Sequence, residues 1–213
     1  MSKNLYSLLL DDEVVAAIDR MALVRGMSRS ALSNAILAEY AKVLTPEEKI
    51  NRVFRKLDEL MGENQEIVPF LTENRPTMSL KSSLAYKYRP TIRYEVELFR
   101  APEGDIGEIS VIFRTTSTGL MEAVTAFFRL WCRLENAYLT PLGRGEITYE
   151  LSGGRLTRRI RPQDPDPETL SKKLADYITM LDDLMKKTIR GEIGEEELER
   201  SYVACLNRGI GYL

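Results

Sequence analysis

The chain has 213 residues, 44% hydrophobic and 29% charged, with 30 Lys and Arg against 32 Asp and Glu. Those proportions describe an ordinary globular protein of one medium or two small domains, and a net charge of −2 excludes wholesale coating of nucleic acid or an anionic membrane. There is no histidine, which removes Ser-His-Asp and Cys-His catalysis and imidazole metal sites, and Cys132 and Cys205 are too isolated to form a C-x-x-C zinc pair.

The opening MSKNLYSLLLDD meets aspartates too soon for a signal peptide. Residues 5 to 10, Leu-Tyr-Ser-Leu-Leu-Leu, read as a short strand. Asp11 or Asp12 then caps a helix with Val14, Val15, Ile18, Met21, Ala22 and Leu23 at i, i+3, i+4 spacing, the pattern of a one-sided buried helix. Gly26 suits the left-handed position that ends it. Ser28 caps a second helix whose buried face is Ala31, Leu32, Ala35, Ile36 and Tyr40. A unit of about 45 residues buries too little surface to fold alone, and a lone strand leaves its backbone groups unpaired. A symmetric dimer, with two strands paired antiparallel above four helices, answers both problems.

The strand YSLLL, the helix D-x-x-V-V-x-x-I-D-x-M-A, Gly26 and the segment M-S-R-S-A-L-S-N-A-I-L together resemble the ribbon-helix-helix repressors of the Arc, MetJ and CopG class. The resemblance covers about the first fifth of the chain. It implies that the ribbon enters the DNA major groove and that the start of the second helix holds a phosphate. Carried over residue by residue, Leu5, Ser7 and Leu9 face the bases, Tyr6, Leu8 and Leu10 face the core, and Ser28, Arg29 and Ser30 clamp phosphate. The groove-facing set offers one hydrogen-bonding side chain per strand, and residues 1 to 45 carry five basic and five acidic residues. DNA recognition is therefore expected to lean on DNA shape and on neighbouring dimers bound to repeated half-sites.

Thr45-Pro46-Glu47-Glu48 starts a third helix, with Ile50, Val53, Phe54, Leu57, Leu60 and Met61 as its stripe. It reads as a connecting helix that extends the dimer contact, and residues 63 to 76, rich in Asn and Pro, read as linker. From Met78 the period becomes two. Met78, Leu80, Leu84, Tyr86 and Tyr88 share one parity, continued beyond Pro90 by Ile92, Tyr94, Val96 and Leu98, as one bent strand or two. After a turn at Pro102–Asp105 comes a strand with Ile109, Val111 and Phe113 inward, then an apolar helix from Thr118 to Tyr138. That helix, interrupted by Glu122, Arg129 and Arg133, is no membrane span, and a cytoplasmic address is expected. Ile147, Tyr149 and Leu151 form a strand, Gly153-Gly154 a hairpin turn, and Leu156 to Arg161 its partner. A long helix with Leu170, Leu174, Tyr177, Ile178, Leu181, Leu184 and Met185 follows, then a short one with Leu198, Tyr202, Val203 and Leu206.

The expected architecture is α+β: a ribbon-helix-helix unit at 1–44, a connecting helix and linker at 45–76, and a two-layer antiparallel sheet with helices at 77–213, its β-β-α order repeated. Arg114, Thr116, Ser117 and Thr118, between a strand and a helix start, form a candidate anion site, with plain helix capping as the alternative. The basic strand Arg155, Arg158, Arg159, Arg161 contacts phosphate, forms a solvated face, or pairs with the acidic last helix. Tyr86, Tyr88, Tyr94, Phe127, Phe128 and Trp131 either line a small-molecule pocket or pack the core. The expected function is a homodimeric DNA-binding transcriptional regulator whose second domain senses a small-molecule effector or assembles higher oligomers. The alternatives are an antitoxin of a toxin–antitoxin pair and a ribbon-helix-helix scaffold that does not bind DNA. No catalytic residue, metal or cofactor is expected, and no membrane partner.

Overall fold

The computed structural model describes residues 5–62, 64, 66–70, 76–85, 90–142, 147–161 and 166–213. The chain divides into two compact units, Met1–Lys49 and Ile50–Leu213.

In the N-terminal unit, residues 5–11 carry no secondary structure and both parities are exposed, Leu9 fully and Leu8 at 67%. The strand expected there does not form in a single chain, because strand geometry persists only when another strand takes up its backbone N–H and C=O groups. Helix α1 (Asp12–Val24) is preceded by Asp11, whose side chain makes no capping hydrogen bond. It ends in a Schellman turn: Gly26 adopts φ +61, Met27 N–H donates to Ala22 O at 2.9 Å and Gly26 N–H to Leu23 O at 3.2 Å. Helix α2 (Arg29–Tyr40) begins at Ser28, whose Oγ accepts from Ala31 N–H at 3.2 Å. Of the two expected buried faces only Ala22 and Leu32 are buried within one chain.

The C-terminal unit is a six-stranded antiparallel sheet with helices on one face. Its order is β1 (Ile67–Phe70), β2 (Thr77–Ser83), β3 (Thr91–Glu103), β4 (Asp105–Phe113), β6 (Arg155–Ile160), β5 (Tyr149–Ser152). Helix α4 (Thr118–Leu139) connects β4 to β5, and α5 (Pro167–Ile189) and α6 (Glu195–Asn207) follow β6. The inner face is set by period two: Ile92, Tyr94, Val96 and Leu98 lie beside Ile109, Val111 and Phe113, and Leu156 and Ile160 continue the row. α5 seats Asp182 under β2 and β3, and α4 seats Glu135 under β5 and β6. The outer face carries Arg93, Glu95, Glu108, Arg155 and Arg159, a solvated charge ladder that lets an antiparallel sheet stay one-sided.

Three expectations change. The helix α3 (Pro46–Gly62) turns its apolar stripe into its own chain rather than to a partner. The unit boundary falls inside it, and Ile50, Val53, Phe54, Leu57 and Met61 are buried in the core of their own chain, where Ser171 Oγ donates to Val53 O at 3.1 Å. The stretch read as linker contains β1, which pairs through Pro69 and its neighbours with β2. With two strands at 77–103, β1 and β4, four strands precede α4 rather than two, so the β-β-α order is not repeated. The choice between one strand and two falls to two; Tyr86 and Tyr88 lie outside the described residues.

The hairpin at Gly153-Gly154 has φ +49 and +77, the pair of left-handed residues that a tight two-residue turn demands. No helix among the described residues is long and apolar enough to cross a membrane.

Candidate functional site

On the N-terminal unit, Leu5, Ser7 and Leu9 are exposed, and so are Tyr6, Leu8 and Leu10, which were expected to be covered. Large apolar side chains continue across both helices: Val14, Met21, Leu23 and Val24 on α1, and Ile36, Leu37 and Tyr40 on α2. The unit thus buries two apolar residues and leaves a broad apolar surface exposed.

The expected phosphate clamp, Ser28, Arg29 and Ser30, lies at the start of α2. Ser28 Oγ occupies Ala31 N–H, and the first-turn N–H groups of Arg29 and Ser30 have no intrahelical acceptor by construction. The Arg29 side chain is already engaged. Its Nε donates to Asp19 Oδ1 at 2.6 Å and its Nη2 to Asp19 Oδ2 at 2.5 Å, a bidentate fork reaching back to α1. The hydrogen bonds from Arg29, reinforced by its charge, hold the Asp19 carboxyl below its ordinary range, so the pair stays ionised at neutral pH. Sequence reading placed Arg29 beside a phosphate and missed Asp19. The two are ten residues apart across a turn, outside any helical spacing rule.

In the C-terminal unit, the expected anion site is a shallow depression of about 520 Å³ lined by Thr115, Thr116, Ser117, Thr118, Glu122 and Arg129 among others. Two of its hydroxyls accept local backbone N–H groups: Ser117 Oγ from Leu120 N–H at 3.4 Å and Thr115 Oγ1 from Ser117 N–H at 3.1 Å. Arg114 is exposed and does not line the depression, where Glu122 stands instead beside Arg129.

The basic strand β6 does not face the acidic last helix. Arg155 approaches Glu95 and donates to Ser110 at 3.0 Å, Arg159 pairs with Glu108 at 2.9 Å, and Arg161 pairs with Asp105. Arg158 points the other way, into the core, because it shares the parity of Leu156 and Ile160. It is 2% exposed and meets Glu135, 0% exposed, at 3.2 Å. Tyr149 Oη donates to Glu135 Oε2 at 2.7 Å and Tyr177 Oη at 3.3 Å, Trp131 Nε1 donates to Tyr177 Oη at 3.1 Å, and Arg158 Nη2 donates to Leu213 O at 3.1 Å. Burial pushes the Glu135 carboxyl up against the pull of Arg158 and the tyrosines. A second buried pair, Asp182 and Lys186 at 2.7 Å, is completed by Tyr94, Ser82 and Glu66. The aromatic set belongs to the core: Tyr94, Phe127, Phe128 and Trp131 are buried, and the ring of Phe127 stacks on Trp131 at 5.7 Å.

The larger depression on this unit, about 710 Å³, runs between α3, α5 and α6. It mixes Lys56, Lys172 and Arg208 with Glu168, Asp176 and Asp183 over an apolar floor of Met61, Met180 and Ile210. No cluster of His, Cys, Asp and Glu among the described residues could hold a metal. No family model, no curated protein and no solved structure matches this chain.

Proposed function

We propose that the chain is a homodimeric DNA-binding regulator in which two N-terminal units share one core and present a two-stranded ribbon to the major groove. The observation that supports it is the half-core: residues 5–10 without secondary structure of their own and uncovered, followed by two helices that bury only Ala22 and Leu32. Fully burying a leucine contributes about 1.5–3 kcal/mol. Tyr6, Leu8 and Leu10 from two chains are thus of the same order as the cost of association, about 4–15 kcal/mol, and the exposed helix residues add to them. Leu5, Ser7 and Leu9 then face outward, with Ser28, Arg29 and Ser30 on the flanking phosphates.

A good bidentate side chain–base pair contributes about 1–3 kcal/mol of discrimination, and none of these three ribbon residues makes one. Specific binding needs about 4–10 kcal/mol over non-specific binding, so several dimers on repeated half-sites, joined through the C-terminal units, supply the remainder. The mixed-charge groove between α3, α5 and α6 is where we place a small effector. The test is selection of DNA from a random pool by the full chain, then binding to duplexes carrying one or several copies of the selected motif. Enrichment of a motif, with tighter binding to repeated copies and loss of both on Leu8→Asp, supports the reading; a pool with no enrichment overturns it. A second reading, a ribbon-helix-helix dimeriser that leaves DNA alone, is favoured by the Arg29–Asp19 fork, and the same selection decides between them.

A further inference from the structure

We propose that Asp19 is a built-in competitor for the DNA phosphate assigned to Arg29, so that each clamp opens only by exchanging a carboxylate for a phosphate. The inference rests on the DNA-binding reading above and adds a regulating residue to the same site. Three observations carry it. The fork is bidentate through the Nε and Nη2 edge of the guanidinium, and a bidentate fork is also how arginine holds a phosphate. Asp19 projects from α1 and Arg29 opens α2, so the fork ties the first residue of the helix whose start would receive the anion to a carboxylate on its neighbour. The pair is also open to solvent, with side-chain exposures of 58% and 44%, so the exchange requires no unfolding.

The consequence is quantitative. An exposed ion pair holds its partners together by a factor of about 1.5 to 5. Two clamps per dimer multiply, so removing Asp19 raises affinity for DNA of any sequence by about 2- to 25-fold, because phosphate contacts carry no sequence information. Wild-type Asp19 thereby holds a lone dimer off non-specific DNA and favours sites where neighbouring dimers bind together.

The experiment titrates a fluorescein-labelled random-sequence duplex with the full chain, at two salt concentrations. The proteins are wild type, Asp19→Asn, Asp19→Ala, Arg29→Ala, the double variant Asp19→Asn/Arg29→Ala, and Glu39→Gln. Glu39 is exposed at the far end of α2, so its amide makes the same change in net charge away from the clamp. Circular dichroism confirms that each variant is folded. Both Asp19 variants should bind more tightly than Glu39→Gln, and the gain should vanish in the Arg29→Ala background. A gain no larger than that of Glu39→Gln, or one that survives without Arg29, overturns the competitor role while leaving the DNA-binding reading in place. No binding by wild type or by either Asp19 variant overturns that reading itself. Binding by the Asp19 variants alone supports both.

Discussion

Replacing Arg158 by Met should cost the C-terminal unit about 3–5 kcal/mol at neutral pH, the usual consequence of leaving one member of a buried ion pair uncompensated. The geometry sets the sign: Glu135 is 0% exposed, its nearest cation is Arg158 at 3.2 Å, and the other groups on its Oε2 are the hydroxyls of Tyr149 and Tyr177. Burial already holds the Glu135 carboxyl above its ordinary value, with Arg158 the largest opposing influence. Without Arg158 it rises further. A carboxyl whose folded-state value lies above its unfolded value stabilises the fold fully below the unfolded value, and that stability is lost as pH rises through the folded value. The variant should therefore recover stability on acidification towards the mild-acid range. Glu135→Gln/Arg158→Met should be more stable at neutral pH than Arg158→Met alone, because the amide oxygen still accepts from Tyr149 and no buried charge remains. The assay is urea unfolding followed by the fluorescence of Trp131. It is the only tryptophan in the chain, it is fully buried, and its indole N–H bonds to Tyr177 beside the pair, so it reports on this unit alone. A loss below about 1 kcal/mol, well under the range for an uncompensated buried charge, would refute the reasoning. So would a pH-independent loss, or a double variant no better than the single.

Two further outcomes are expected. Gly107→Ala should destabilise the sheet by about 1–3 kcal/mol, the usual cost of overpacking, since an added Cβ would press on the Glu97 carbonyl and on Leu98 of the neighbouring strand; urea unfolding checks it, and a neutral result shows that β3 can move aside. Burial pushes the Cys132 thiol up to about 12, so in the native chain iodoacetamide followed by peptide mass spectrometry should find it unmodified at neutral pH and modified after unfolding; rapid native labelling would contradict this.

Local chemistry was legible where one residue type has one use. Ser28 at the start of α2, Gly26 after α1 and Gly153-Gly154 between β5 and β6 each stand where their conformational or capping preference placed them. Elements stabilised by their surroundings were not legible. β1 has four residues and contains Pro69, which suits only an edge strand, and nothing local distinguishes it from linker. α3 was read as partner-facing because a stripe reports that a helix is covered and not by what. The buried charges did leave a signal. Arg158 shares the parity of Leu156 and Ile160, and Glu135 follows Trp131 by one helical turn inside the apolar stripe of α4. A charge at a core position implies a buried partner, and parity separates Arg158 from Arg155, Arg159 and Arg161 on the other face.

The central claim is that two copies complete one N-terminal core, and sedimentation equilibrium of the full chain tests it most directly. Wild type should sediment at twice the chain mass of 24.3 kDa, and Leu8→Asp, which would put unpaired charges into the shared core, should sediment as a monomer with the Trp131 fluorescence of its C-terminal unit unchanged. A wild-type monomer with a stable, helical N-terminal unit, or a Leu8→Asp protein that remains dimeric, would contradict the account.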